Sequence, residues 1–180
     1  MSIKPYYKTN SCALYQCDNL ELMKQLPDSY IDLIYCDILY GKGRSFSDYQ
    51  DLKSERNIID DHYLIRISEM NRLLKETGKI FIHGKERNLE RGCHMNDWWT
   101  DINSLQTWSP ERLKYNTQKP KPLLDRIIES ATKENEIIAD FYMGCGTTEE
   151  SAVSLNRKFI GCDIGERACK LTQERLEKYA

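Results

Sequence analysis

The chain has 180 residues with 40% hydrophobic and 30% charged composition, enough for one domain with a real core and too little for two comfortable ones. A net charge of −2 supplies no global attraction for nucleic acid, so any such contact must come from local clusters. The apolar runs "IDLIYC" and "KIFIH" are far shorter than the roughly 20 residues that span a bilayer, and "MSIKPYYKTN" has no apolar signal core, which together point to a cytoplasmic protein with no membrane partner. Along the chain, "CALYQ" (12–16) reads as a strand. Asp18 stands at a helix N-cap before "NLELMKQL", which Pro27 and Asp28 terminate. "IDLIYC" (31–36) is a strand apolar on both faces, as in parallel sheets. The polar "YGKGRSFSDYQDLKSERN" after it reads as a loop. Apolar residues at helical spacing predict a helix from Asp60 to Glu76, capped by Gly78 and feeding the strand "KIFIH" (79–83).

Residues 84–118 show weak periodicity and read as loop with short elements. A helix follows from Pro120 as a first-turn proline, then strand "EIIAD" (136–140), a helix from Thr147 to Leu155, strand "KFIGCD" (158–163) and a last helix to Tyr179. Alternating strands and helices predict an α/β fold with a doubly wound, mostly parallel sheet. Seven scattered cysteines at 12, 17, 36, 93, 145, 162 and 169 contain no CxxC pair, so buried reduced thiols are expected rather than disulfides or a zinc site. His83 and His94 lack partners at ligand spacing and read as structural.

The stretch "ADFYMGCGTTEESA" (139–152) places a strand ending at Asp140, a turn with Gly144 and Gly146, and a helix beginning near Thr147. Such a turn admits a ligand close to the backbone and turns helix amides toward it, and Asp163, at the end of the next strand, is placed to accept hydrogen bonds from ribose hydroxyls. No third glycine of a dinucleotide fingerprint and no GK[ST] follow, which disfavours NAD and P-loop readings. A nucleoside ligand without a pyrophosphate suits the turn better.

"DFYMGCGTT" and "NRKFIGCDI", preceded by "NTQKPKPLLDRIIESAT" and by "DLIYCDILYGKGRSFSDY", resemble the amino-methyltransferases of DNA, which transfer methyl from S-adenosylmethionine to adenine N6 or cytosine N4. The order, catalytic tetrapeptide first and cofactor turn late, is that of the family's permuted (beta) class. The resemblance runs from about Gln16 to Leu176 and implies a circularly permuted, Rossmann-like sheet of the S-adenosylmethionine-dependent methyltransferase type. In that sheet 136–140 is central, 158–163 and 31–36 flank it, and 12–16 and 79–83 lie further out.

The resemblance implies the following roles. Asp37 accepts a hydrogen bond from the target amino group, Ile38 supplies the backbone carbonyl beside it, and Tyr40 stacks on the extruded base of duplex DNA. Asp18, Asp37, Lys119, Asp140, Tyr142, Gly144, Gly146, Thr147, Thr148 and Asp163 hold S-adenosylmethionine, with Lys119 toward its carboxylate, Asp18 near its adenine and Asp163 at its ribose. Where the family has two prolines after the acid, this chain has Ile38 and Leu39, and Cys145 replaces a serine. Only 76 residues separate Tyr40 from Thr117, so a single domain over 1–180 with no separate target-recognition domain is expected. Target choice would then come from a homodimer or a specificity partner. Lys42, Arg44, Lys85, Arg87, Arg91, Lys114 and Lys121 are either phosphate contacts or a solvated face, and Trp98, Trp99 and Trp108 either stack on bases or pack. The expected function is a site-specific DNA adenine-N6 methyltransferase. The alternatives are a catalytically impaired binding or regulatory relative and a cytosine-N4 enzyme.

Overall fold

A computed structural model describes residues 2–38, 56–83 and 101–179, with side chains from 61 onward in the second of these segments. Among the described residues, six strands form one sheet in the order β1-β2-β6-β5-β3-β4. They are β1 (Tyr7–Lys8), β2 (Cys12–Gln16), β3 (Ile31–Asp37), β4 (Leu74–His83), β5 (Ile137–Asp140) and β6 (Lys158–Asp163). All neighbours are parallel except β1, which pairs antiparallel with β2. The helices are α1 (Asn19–Met23), α2 (Arg56–Leu73), α3 (Lys121–Ala131), α4 (Thr147–Ser154) and α5 (Glu166–Leu176). The central position of β5 between β6 and β3, and the outer positions of β2 and β4, agree with the arrangement the resemblance implied. No helix among the described residues is long and apolar enough to cross a membrane.

The largely apolar strands are explained by a sheet covered on both faces. Alternate residues of one strand enter different cores: Leu33 and Tyr35 of β3 pack with Leu14, Leu124, Ile128, Ile138 and Phe159, while Ile34 and Cys36 pack with Leu22, Met23, Met70, Leu73 and Phe141. Leu33 and Ile34 are both fully buried, each worth about 1.5–3 kcal/mol of apolar transfer. The one carboxylate on the buried run, Asp32, accepts from Lys75 Nζ at 2.8 and 2.9 Å and from the Ile137 amide at 2.9 Å, which ties three strands' ends together.

Several boundaries differ from the sequence expectation. The second helix ends at Leu73 rather than Glu76, and β4 begins at once, five residues before the expected strand. Gly78 is therefore no helix cap. It lies inside β4 beside an irregularity in the pairing with β3, where a Cβ would stand 2.9 Å from Lys75 O and 3.1 Å from Ile31 O. Backbone contact, not a left-handed cap, requires glycine there. The first helix stops at Met23, well before Pro27, and Pro120 is the N-cap of α3 in extended conformation rather than its first helical residue. The last helix ends at Leu176 and is followed by a 3₁₀ turn to Tyr179, and the two-residue β1 had no signal in the sequence.

Candidate functional site

The carboxyl ends of β2, β6, β5 and β3 converge on one cleft, at the point where winding of the sheet reverses. Its lining includes Asp18, Asp37, Lys119, Asp140, Tyr142, Gly144, Thr147, Thr148 and Asp163, so nine of the residues singled out from the sequence meet in one place. Gly146 and Ile38 do not line it. Gly146, the α4 N-cap at φ 75°, faces α5, where a Cβ would come within 2.5 Å of Thr172. The Ile38 side chain packs against the core, and its amide donates to His83 O at 3.1 Å. The donor created by the absence of proline is thus absorbed by one further rung between the ends of β3 and β4. Tyr40 and Leu39 lie outside the described residues, as do Lys42, Arg44, Lys85, Arg87, Arg91, His94, Trp98 and Trp99.

The glycine turn is held by acids on both sides. Asp163 accepts from the Gly144 amide at 2.9 Å and from the Gly165 amide at 2.8 Å, which fixes the turn to the end of β6. A carboxylate has lone pairs for further donors on the cleft side. Asp140 accepts from the Tyr142 amide at 2.9 Å and from Thr148 Oγ1 at 2.6 Å. At Gly144, φ is 56° and a Cβ would meet Tyr115 Cε1 at 3.3 Å. Beneath the turn, Arg175 is paired with Glu150 at 2.9 Å and donates to Cys145 O and Thr147 Oγ1 at 3.1 and 2.9 Å. Burial pushes the Cys145 thiol up to about 11, so at neutral pH it is an inert, protonated packing group.

Across the cleft, Lys119 Nζ forms an ion pair with Asp37 Oδ2, and both side chains are largely buried. The resemblance placed Lys119 toward the cofactor carboxylate; the structure brings it to the acid at the end of β3. Asp37 Oδ1 is buried and accepts no hydrogen bond among the described residues. Such an acceptor is costly unless a donor reaches it. Lys121 is committed to Asp125 and Ser154 and is no spare surface cation, whereas the Lys114 residue is exposed. Trp108 is 79% exposed and does not pack in a core.

Sequence reasoning missed a second layer. Asp18 caps α1 as expected, its Oδ1 accepting from the Leu20 amide at 2.8 Å, but its Oδ2 also takes Arg66 Nη2 at 2.8 Å. Arg66 Nε donates to Asn19 Oδ1 at 2.7 Å, and Asn19 Nδ2 donates to Phe141 O at 2.9 Å. One buried guanidinium therefore anchors the Asp18 wall and, through Asn19, the backbone after Asp140. Ile164, 57% exposed beside Asp163, gives the cleft an apolar lip. An isolated arginine on a helical face and an isoleucine after a strand acid carry no local signal of either role.

Burial pushes Asp140 up to about 7, aided by Asp37 and Asp163 and opposed by the Thr148 and Tyr142 hydrogen bonds. With the folded value above the unfolded one, the folded state binds the extra proton. Its contribution is complete below the unfolded value near 4 and is lost as pH rises through 7. Asp140→Asn is uncharged, and its amide can accept from Tyr142 N while donating to Thr148 Oγ1. Relative to the parent, it is expected to gain roughly 2–3 kcal/mol of stability between pH 5 and pH 8. Denaturant melts of the two proteins across that range check this, and a pH-independent difference would remove the assignment.

The family model of DNA methylases matches residues 85–174, half of the chain, and the chain belongs to that N6/N4 DNA methylase family. It is 25% identical to the type II methyltransferase M.BamHI of Bacillus amyloliquefaciens over 253 residues, an alignment that takes in 97% of this chain. The chain spans 59% of that relative's length. An alignment of 253 positions on a chain of 180 leaves at least 73 internal positions of the relative with nothing opposite them here. Among solved structures, the PvuII DNA methyltransferase, described as cytosine-N4-specific, superposes with a TM-score of 0.72 at 14% identity, covering 98% of this chain and 93% of that one. The M1.HpyAVI–SAM complex superposes with a TM-score of 0.64 at 19% identity, covering 92% and 100%. These two likenesses show a shared Rossmann-like methyltransferase fold.

Proposed function

We propose that this chain is the catalytic domain of an S-adenosylmethionine-dependent DNA methyltransferase that modifies N6 of an adenine flipped out of the duplex. The observation that carries the proposal is Asp37 Oδ1, a buried acceptor that no donor reaches among the described residues, in the same cleft as the glycine turn. The residues present suit the cofactor: a turn with a positive φ at Gly144, an acid at the end of the adjacent strand, and the apolar Ile164 beside it. When bound, the cofactor supplies an electrophilic methyl on a sulfonium. Asp163, with Gly144 and Gly165 fixing its orientation, receives the ribose hydroxyls. Asp18 and Ile164 border the adenine, and the turn from Gly144 to Thr148 takes the methionine portion.

An exocyclic amine is a poor nucleophile while its lone pair is delocalised into the ring. Asp37 Oδ1 accepts one of its N–H groups and favours a pyramidal nitrogen, so that the lone pair points along the line of attack. Lys119 holds Oδ2, which leaves Oδ1 to accept from the target amine. Tyr40 would stack on the base. The choice of adenine over cytosine follows the family resemblance at Asp37. The 73 or more positions that M.BamHI has and this chain lacks support target choice by a second copy or a separate partner, with residues 1–180 as one domain.

A second reading, a relative that binds cofactor without transferring methyl, is favoured by the Ile38 amide, which is bonded to His83 O where the family has proline. Incubation with isotopically labelled S-adenosylmethionine and mixed duplex DNA separates the two, with labelled N6-methyladenine as the expected product. Label in N4-methylcytosine would move the target, and cofactor binding with no labelled base would establish the second reading. The cofactor assignment has its own test by mass action on thermal stability. S-adenosylhomocysteine is expected to raise the Tm of the protein, NAD to leave it unchanged, and Asp163→Ala to lose the shift. A shift with NAD and none with S-adenosylhomocysteine overturns the assignment.

A further inference from the structure

The sulfurs of Cys17 and Cys162 stand 3.7 Å apart although the residues are 145 positions apart in sequence. Cys162 is fully buried on β6, paired in register with Tyr15, and Cys17 directly follows β2 on the adjacent strand. Both sulfurs therefore lie on the same side of the sheet, offset by one step of the side-chain alternation. Cys162 Sγ is also 3.2 Å from Cys17 O, so its single S–H can donate either to that carbonyl or to the Cys17 sulfur. Among the six described cysteines, Cys17 alone is not buried. It lines the cleft and is joined to Asp18, whose carboxylate caps α1 and holds Arg66.

We propose that Cys17 and Cys162 are an oxidation site, a dithiol that a peroxide converts to a disulfide, and that closure of this bond displaces the Asp18 wall and weakens cofactor binding. The effect on affinity rests on the cofactor reading above; the dithiol chemistry does not. Cys17 is the accessible member and its thiol is shifted down from the ordinary value, first by the hydrogen bond from Cys162, so it reacts first. Its thiolate attacks one peroxide oxygen, the O–O bond breaks, the departing hydroxide takes a proton to become water, and sulfur is oxidised to a sulfenic acid. The Cys162 sulfur then attacks the sulfenic sulfur; the S–O bond breaks, and the hydroxyl leaves with the Cys162 proton as a second water. Two thiols and one peroxide thus give one disulfide and two waters.

Closing the sulfurs from 3.7 Å to the about 2 Å of a disulfide draws Cys17 toward β6 and away from its present place in the cleft wall. Asp18 cannot follow freely, because the α1 amide and the Arg66 guanidinium both hold it. In a reducing cytosol such a bond forms transiently, the usual behaviour of a redox-responsive pair.

The test is peroxide treatment of the full chain, followed by peptide mapping without reduction and calorimetric titration with S-adenosylhomocysteine. Expected is a Cys17–Cys162 cross-linked peptide two hydrogens lighter than its parts and cleaved by dithiothreitol. The Kd for S-adenosylhomocysteine should rise about tenfold on oxidation and recover on reduction. Cys162→Ser keeps a donor to the Cys17 carbonyl and should bind as the reduced parent does, yet form no cross-link; Cys162→Ala repeats the control if the serine folds poorly. Mapping separates oxidation of Cys93, which lies outside the described residues, from that of the pair. Cys17 recovered as sulfinic acid beside a free Cys162 thiol overturns the proposal, as does a complete cross-link that leaves affinity unchanged. Reduced protein that binds no S-adenosylhomocysteine defeats the cofactor reading instead, and the mapping alone then decides the dithiol.

Discussion

Asp37→Asn is expected to reduce methyl transfer by about 10²–10³-fold in kcat, comparable to removal of one preorganised transition-state hydrogen bond, while S-adenosylhomocysteine binding largely persists. The asymmetry of the acid explains why so small a change is so damaging. Lys119 offers only donors and faces Oδ2, so it selects the oxygen of the new amide. The amide nitrogen then takes the place of Oδ1 and presents hydrogens to an amino group that needs an acceptor. Asp37→Ala removes the acceptor without adding a donor and should be the less damaged of the two per unit of folded protein. Single-turnover transfer with labelled cofactor, alongside calorimetric affinity for the product, checks both. Transfer at the parent rate in Asp37→Asn would end the proposed mechanism.

The largest structural effect is expected at Arg175. Its guanidinium is nearly inaccessible, paired with the largely buried Glu150 and donating to the Cys145 carbonyl in the glycine turn and to the Thr147 hydroxyl that begins α4. Arg175→Leu leaves the Glu150 carboxylate buried without its counter-charge, a loss of about 3–5 kcal/mol. For a chain of this size that lowers Tm by roughly 10 °C. The double variant Glu150→Met with Arg175→Leu removes both charges and is expected to lose clearly less, since neither ion is then stranded. Equal losses in the single and double variants would show that the contacts to Cys145 and Thr147 dominate rather than the ion pair.

The sequence alone was informative wherever the signal is local. Periodicity placed β2, β3, β5 and β6 within a residue or so because strands of a sheet covered on both faces read as near-continuous apolar runs. Asp18 was legible as a helix cap because capping is a contact with an amide two residues on. Gly78 misled for the same reason: glycine after an amphipathic run signals a cap locally, while the close carbonyl of Ile31 belongs to another strand. The sheet order was read through resemblance to a family.

What the sequence by itself determined, then, is the alternation of strands and helices, the glycine turn between Asp140 and Thr147, and the acids at the ends of β3 and β6. Tertiary structure decided what those acids face. Lys119 meets Asp37 across 82 residues, Asp163 holds an amide 19 residues before it, and Arg66 reaches Asp18 and Asn19 from a helix 47 or 48 residues later. The Cys17 and Cys162 sulfurs are neighbours only because β2 and β6 are adjacent in the sheet. Periodicity and capping are set by residues within a few positions of one another, whereas these pairings depend on the order in which strands pack, a property of the whole chain.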